Sequence, residues 1–192
     1  MVKPSAILLP LLLLTACVTE PQSKQKSQVQ TERIMTVASG DISFISSDNQ
    51  RFALHPNFSK LAVDNTVDSN ALMHRMQQAI IDTMMTKGYQ HVHPQDMPDF
   101  LIGFGVAFES QLSDAQILQD TGMVAGLSEQ GVDMSEYEKS SVLLMLFAAN
   151  EVRPRWKVLA QGFTDLEQHL DESSERLHHL MHNMLAALPN RD

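Results

Sequence analysis

Residues Asp99–Phe108 read DFLIGFGVAF, apolar almost throughout, with Gly103 and Gly105 alternating with Ile102, Phe104 and Val106. A run of this length and composition fits a strand buried in the middle of a sheet, and its two glycines mark a face where another group packs against bare backbone. Working outward, residues 140–149 (SSVLLMLFAA) and 155–163 (RWKVLAQGF) read as a hairpin joined through Asn150 to Pro154. Residues 41–46 (DISFIS) and 50–54 (QRFAL) read as early strands, the second ended by Pro56. YQHVH at 89–93 is a short extended piece bounded by Pro94.

Two helices frame these strands. Leu72, Met76, Ile80 and Met84 repeat at helical spacing behind a cap at Asp68 or Ser69, and Gly88 stops the run. Residues 165–188 place Leu166, Leu170, Leu177, Met181, Met184 and Leu188 along one stripe before Pro189. A short helix is expected within 113–137. The fold class that follows is α+β: a two-layer sandwich, with a mostly antiparallel sheet of about four to six strands and two or three helices on one face.

The N-terminal end has a different character. Lys3 precedes an apolar run from Ala6 to Leu14, which as a helix would span about 13 Å, against a hydrocarbon core of ~30 Å. That suits a signal peptide better than a membrane span. Leu14-Thr15-Ala16-Cys17 resembles the lipobox of bacterial lipoproteins, and Cys17 is the chain's single cysteine. The resemblance implies removal of residues 1–16, a diacylglycerol thioether on Cys17 and acylation, palmitate included, of the new amino terminus. It also implies, from Val18 in place of an Asp, a location at the periplasmic face of the outer membrane. Residues 18–32 are polar and cannot bury enough surface to offset their ordering entropy. Residues 17–40 are therefore expected to be an acylated cysteine and flexible tether, and 41–192 a single periplasmic domain. The 15 residues after Cys17 would reach roughly 20–25 Å.

Charge limits the partners. Residues 97–192 carry fifteen Asp/Glu and six Lys/Arg, so the whole formal charge of −9 lies in that half. Seven acids occur between Glu109 and Glu138 before any Lys or Arg, and they read as a solvated acidic face. Such a surface repels nucleic acid and anionic headgroups. The partners expected are the membrane, through the lipid anchor, and an envelope protein.

Candidate chemistry is sparse. His91 and His93 would share one side of a strand with Asp96 and Asp99 close behind, a spacing able to offer a metal two imidazoles and a carboxylate. Glu175, His178, His179 and His182 stand on neighbouring turns of the last helix, so His178 and His182 are a second candidate pair for a metal. Each set weighs against a blander reading, an exposed edge and a polar helix flank. No Gly-x-Ser-x-Gly elbow is present. Gly103-Phe104-Gly105 lies inside an apolar strand and is no nucleotide loop. Trp156, between Arg155 and Lys157, is expected to be half buried in a sheet face. No catalytic residue and no cofactor is assigned.

Lys87-Gly88-Tyr89, the strand opening Asp99-Phe100-Leu101-Ile102, Trp156-Lys157 followed by Gly162, and the closing Leu188-Pro189 occur in a familiar order. In that order the chain, over roughly residues 48–190, resembles the domain-of-unknown-function family 4136 of bacterial lipoproteins. Lys157-Val158 stands where that family carries Arg-Gly. The resemblance implies no catalytic residues. The expectation is a non-enzymatic outer-membrane lipoprotein with a binding or envelope-assembly domain; the alternative is a histidine-dependent metal-binding periplasmic protein.

Overall fold

The computed structural model describes residues 33–165 and 173–191. Its strands are β1 (Met35–Gly40), β2 (Arg51–Ala62), β3 (Gln90–His91), β4 (Phe100–Phe108), β5 (Tyr137–Ala148) and β6 (Trp156–Asp165). Its helices are α1 (Ser69–Thr86), α2 (Asp114–Thr121) and α3 (Ser173–Met184). The strands form one open sheet in the order β1-β6-β5-β4-β2-β3. β1, β6, β5 and β4 pair antiparallel in turn, while β2 is parallel to both β4 and β3. The sheet is thus mixed, because α1 carries the chain from β2 across one face so that β4 returns in the same direction.

The quoted strand lies in the middle, as expected. Phe100, Ile102 and Phe104 are fully buried on the face under α1 and α3, together with Leu144 and Leu146 of β5. Each such side chain contributes about 1.5–3 kcal/mol by leaving water. α1 adds Met76, Ala79, Ile80 and Met84, and the end of the chain adds Met181, Met184, Leu185 and Leu188. Asp68 caps α1 by accepting from Asn70 N and Ala71 N, both at 3.0 Å. Trp156 is 4 % exposed within this core, more deeply buried than the sequence suggests. Leu166 and Leu170 lie outside the described residues.

The opposite face has its own cover. Ile117 of α2 and Met123 pack on Leu159, whose neighbours Val158 and Ala160 belong to the other core. Two helices therefore share one face, and the third lies on the other. Here the glycine signal finds its cause. A Cβ at Gly103 would stand 2.8 Å from Phe58 Cβ and 2.9 Å from the Phe58 carbonyl oxygen. Phe58 reaches that position because β2 shifts register against β4 between Leu54 and Ser59.

The beginning of the fold departs from expectation. Strand β2 continues past Pro56 to Ala62, since the missing N–H falls inside the register shift, where no ladder bond is required. Residues 41–46 are turns rather than a strand: Asp41 Oδ1 accepts from Ser43 N at 2.8 Å and Ile45 N donates to Ile42 O at 3.1 Å. The first strand is MTVASG instead, so the folded domain begins before residue 41 and includes the end of the stretch assigned to the tether. Its register on β6 runs from Met35↔Gln161 to Gly40↔Trp156. Residues 1–32, which hold the expected signal peptide, Cys17 and most of the expected tether, lie outside the described residues.

Candidate functional site

Asp82, Thr83 and Thr86 on α1 face Glu175, His178, His179 and His182 on α3 across an open groove of about 230 Å³. The apolar sides of both helices are taken by the core, so their polar flanks meet along this seam. His178 Nε2 lies 3.3 Å from Asp82 Oδ2, an ion pair only when the ring is protonated. Gln78 Nε2 donates to the other Asp82 oxygen at 2.8 Å. The structure thus brings His178 and His182 to one wall with Glu175. Among the described residues, however, no three His, Cys, Asp or Glu side chains are arranged to hold a metal ion.

The second histidine pair stays close together at the sheet edge, with only His91 inside a strand. β3 ends at His91, and His93 lies beyond it in a turn where Asp96 N donates to His93 O at 2.9 Å. The His91 ring packs on Phe52 at 5.2 Å between centroids. Burial, then the neighbouring His93, hold its pKa below the ordinary imidazole value. Asp99 is engaged elsewhere: Oδ2 accepts from Gln50 N and Arg51 N, each at 2.8 Å, and so pins the start of β2 beside β4. These residues organise a strand edge.

The densest polar constellation is one the sequence does not announce. On the sheet face opposite the helix pair, the Lys139 ammonium is 2.8 Å from Asp114 Oδ2, 3.1 Å from Glu129 Oε1 and 3.5 Å from Glu109 Oε2. Gln161, only 1 % exposed, donates through Nε2 to Asp114 Oδ1 (2.7 Å) and Ser141 Oγ (3.0 Å). Its Oε1 accepts from Gly126 N (2.8 Å) and Leu127 N (2.9 Å). Burial pushes the Asp114 carboxyl up, but the bonds from Lys139 and Gln161 outweigh it and hold that carboxyl below its ordinary value. Burial likewise opposes the Lys139 charge, and its carboxylate partners overcome that and raise its pKa. Three of the acids expected to be solvated therefore surround a buried lysine and fasten the segment around α2 to the sheet. The only signal in the sequence was Lys139 itself, a cation on an apolar strand just after the acidic stretch.

No family model matches the chain, and no curated protein matches it. Solved structures do resemble it. A DUF4136 family protein from Bacteroides thetaiotaomicron superposes with a TM-score of 0.52 at 12% identity, covering 82% of this chain and 98% of that one. The PelC dodecamer from Paraburkholderia phytofirmans gives 0.48 at 10% identity, covering 83% of this chain and 100% of that one. A PDZ domain protein from Parabacteroides distasonis gives 0.46 at 11% identity, over 89% of this chain and 40% of that one. At such identities the first of these likenesses establishes a shared fold, that of a protein assigned to a family without a known function.

Proposed function

We propose that this chain is a DUF4136 family lipoprotein, acylated at Cys17 and held at the periplasmic face of the outer membrane, whose domain binds an envelope partner without catalysing a reaction. The observation that carries this reading is the sequence Leu14-Thr15-Ala16-Cys17 at the end of an apolar run, ahead of a domain whose first strand begins at Met35. The fold shared with the Bacteroides thetaiotaomicron protein supports the family assignment, as does the ordered set of motifs from Lys87-Gly88-Tyr89 to Leu188-Pro189.

The anchor has a simple energetic basis. Each buried CH₂ contributes about 0.8 kcal/mol, so one acyl chain binds reversibly and several hold the protein in place. A domain on a short polar leash meets partners at raised effective concentration. The non-catalytic part of the reading rests on the sequence: no nucleophile elbow is present, and the only thiol is assigned to the anchor.

Mass spectrometry of the mature polypeptide tests the anchor directly. The expected product begins at Cys17 and carries the mass of a diacylglycerol and an N-acyl chain. Cys17→Ser should abolish palmitate labelling and membrane fractionation. An unmodified Cys17, or a mature chain retaining Met1, would overturn the reading.

A further inference from the structure

The two edges of the sheet are treated differently. Beyond its short pairing with β3 at Arg51 and Phe52, β2 is an outer strand, and there it carries Pro56, a register shift and the exposed Lys60. These are devices that natural sheets use to prevent a further strand from adding. β1 forms the other edge, and Met35-Thr36-Val37-Ala38-Ser39-Gly40 has no charge, no proline and no register irregularity.

The hydrogen-bond phase of that edge is fixed by its neighbours. Gly40 stands opposite Trp156, and Asp41 N donates to Arg155 O at 2.9 Å. Bonded and non-bonded pairs alternate along an antiparallel ladder, so Met35, Val37 and Ser39 bond to β6. Thr36 and Ala38 then turn their N–H and C=O groups outward, and both residues are exposed. Among the described residues β1 has no neighbour on that side.

We propose that β1 pairs antiparallel with β1 of a second copy of this chain, about a twofold axis at Val37, continuing the sheet through the dimer. This register is self-complementary: Thr36 of each copy lies opposite Ala38 of the other, and both residues present outward donors and acceptors. Like-charge repulsion is absent because the strand is neutral, which matters for a chain of formal charge −9. Small side chains at Thr36, Ala38 and Ser39 let the two strands approach. Gly40, whose positive φ ends the regular strand, falls outside the central pairs. The contact is a strand addition, smaller than the ~800 Å² per partner of a standard interface, so it should depend on protein concentration.

Disulfide trapping in the full chain tests this. In Val37→Cys the two position-37 residues form a non-bonded pair with Cα atoms ≈ 4.5 Å apart, within the ≈ 4.4–6.8 Å that a disulfide spans. Mild oxidation should give a homodimer in which the peptide containing position 37 is joined to itself. Lys60→Cys, on the guarded edge, and the unsubstituted chain should give at least tenfold less. Hydrogen exchange on the unsubstituted chain is the second measurement, with the amides of Thr36 and Ala38 gaining protection as concentration rises. Equal trapping at position 60, capture of only a different protein, or exchange at Thr36 and Ala38 independent of concentration would overturn the proposal.

Discussion

Lys139 Nζ lies 2.8 Å from Asp114 Oδ2, and through that contact the acidic segment is bound to the sheet it covers. The lysine side chain is 5 % exposed and has Glu109 and Glu129 as further neighbours, so its loss leaves the carboxylates facing one another. Lys139→Met should destabilise the protein by about 1–3 kcal/mol, less than for a fully buried pair because the carboxylates left behind are 27–45 % exposed and screened by water. For a domain of this size that lowers the Tm by roughly 2–12 °C in thermal unfolding. Linkage gives the pH dependence. Asp114, with its folded pKa lowered, contributes stability above its unfolded value that is lost as pH falls through the folded pKa. Lys139, with its folded pKa raised, contributes stability below its unfolded value that is lost as pH rises through the folded pKa. Lys139→Met should therefore flatten both limbs of a Tm-against-pH curve, and an unchanged curve would show that the cluster adds no stability.

Gly103→Ala should destabilise by about 1–3 kcal/mol, because the new methyl meets Phe58 Cβ at 2.8 Å and backbone oxygen at 2.9 Å, neither the end of a flexible side chain. Gly126→Ala is the control, with nothing within 4 Å of the added carbon. Urea unfolding of the two variants separates close packing from a general effect of glycine replacement. Equal midpoints would remove Phe58 as the reason for the glycine.

Much of this fold was legible because the signals were local. The apolar run at Phe100–Phe108, the Asp68 cap and the Met76, Ile80 and Met84 spacing each depend on neighbours a few residues away. β1 escaped notice because Met35–Gly40 offers only Val37 as a partly buried branched residue, whereas 41–46 alternates well but is turned by Asp41. Pro56 suggested an end to β2 because a register shift is invisible without the partner strand. The histidines were visible as residue types, but whether His91 and His93 share a face depends on where β3 stops. The Lys139 and Gln161 cluster draws its partners from Glu109 to Leu127, and no fixed spacing encodes such a constellation.

His55 gives the fold a sensitivity to acid. Its Nδ1 accepts from Asn57 N at 3.2 Å, and its ring sits 4.5 Å from Phe58 and 4.7 Å from Phe147. Burial lowers its pKa, so the native state favours the neutral ring and the unfolded chain binds the extra proton first. Stability from this group is present above the unfolded value of about 6.5 and is lost as pH falls toward the folded pKa. Protonation at Nδ1 would also remove the acceptor for Asn57. His55→Phe keeps an aromatic ring and removes the titration, so its Tm should fall less between pH 7 and pH 5 than that of the unsubstituted chain. An equal fall in both would place the acid sensitivity elsewhere, with His91 the next group to replace.

Zinc provides the sharpest test of the groove between α1 and α3. A metal that binds only the folded state at 100 times its Kd adds about 2.7 kcal/mol, a Tm rise of several degrees for a domain of this size. His178, His179, His182, Glu175 and Asp82 line the groove, yet among the described residues no three such ligands are placed to share an ion. The expected result is therefore no stoichiometric rise in Tm when Zn²⁺ is added to the full chain, and no difference between that chain and His178→Ala/His182→Ala. A saturable rise that the double variant loses would put the metal-binding alternative ahead of the non-metal reading. A rise retained by the double variant but lost in His91→Ala/His93→Ala would instead move the metal to the β3 edge.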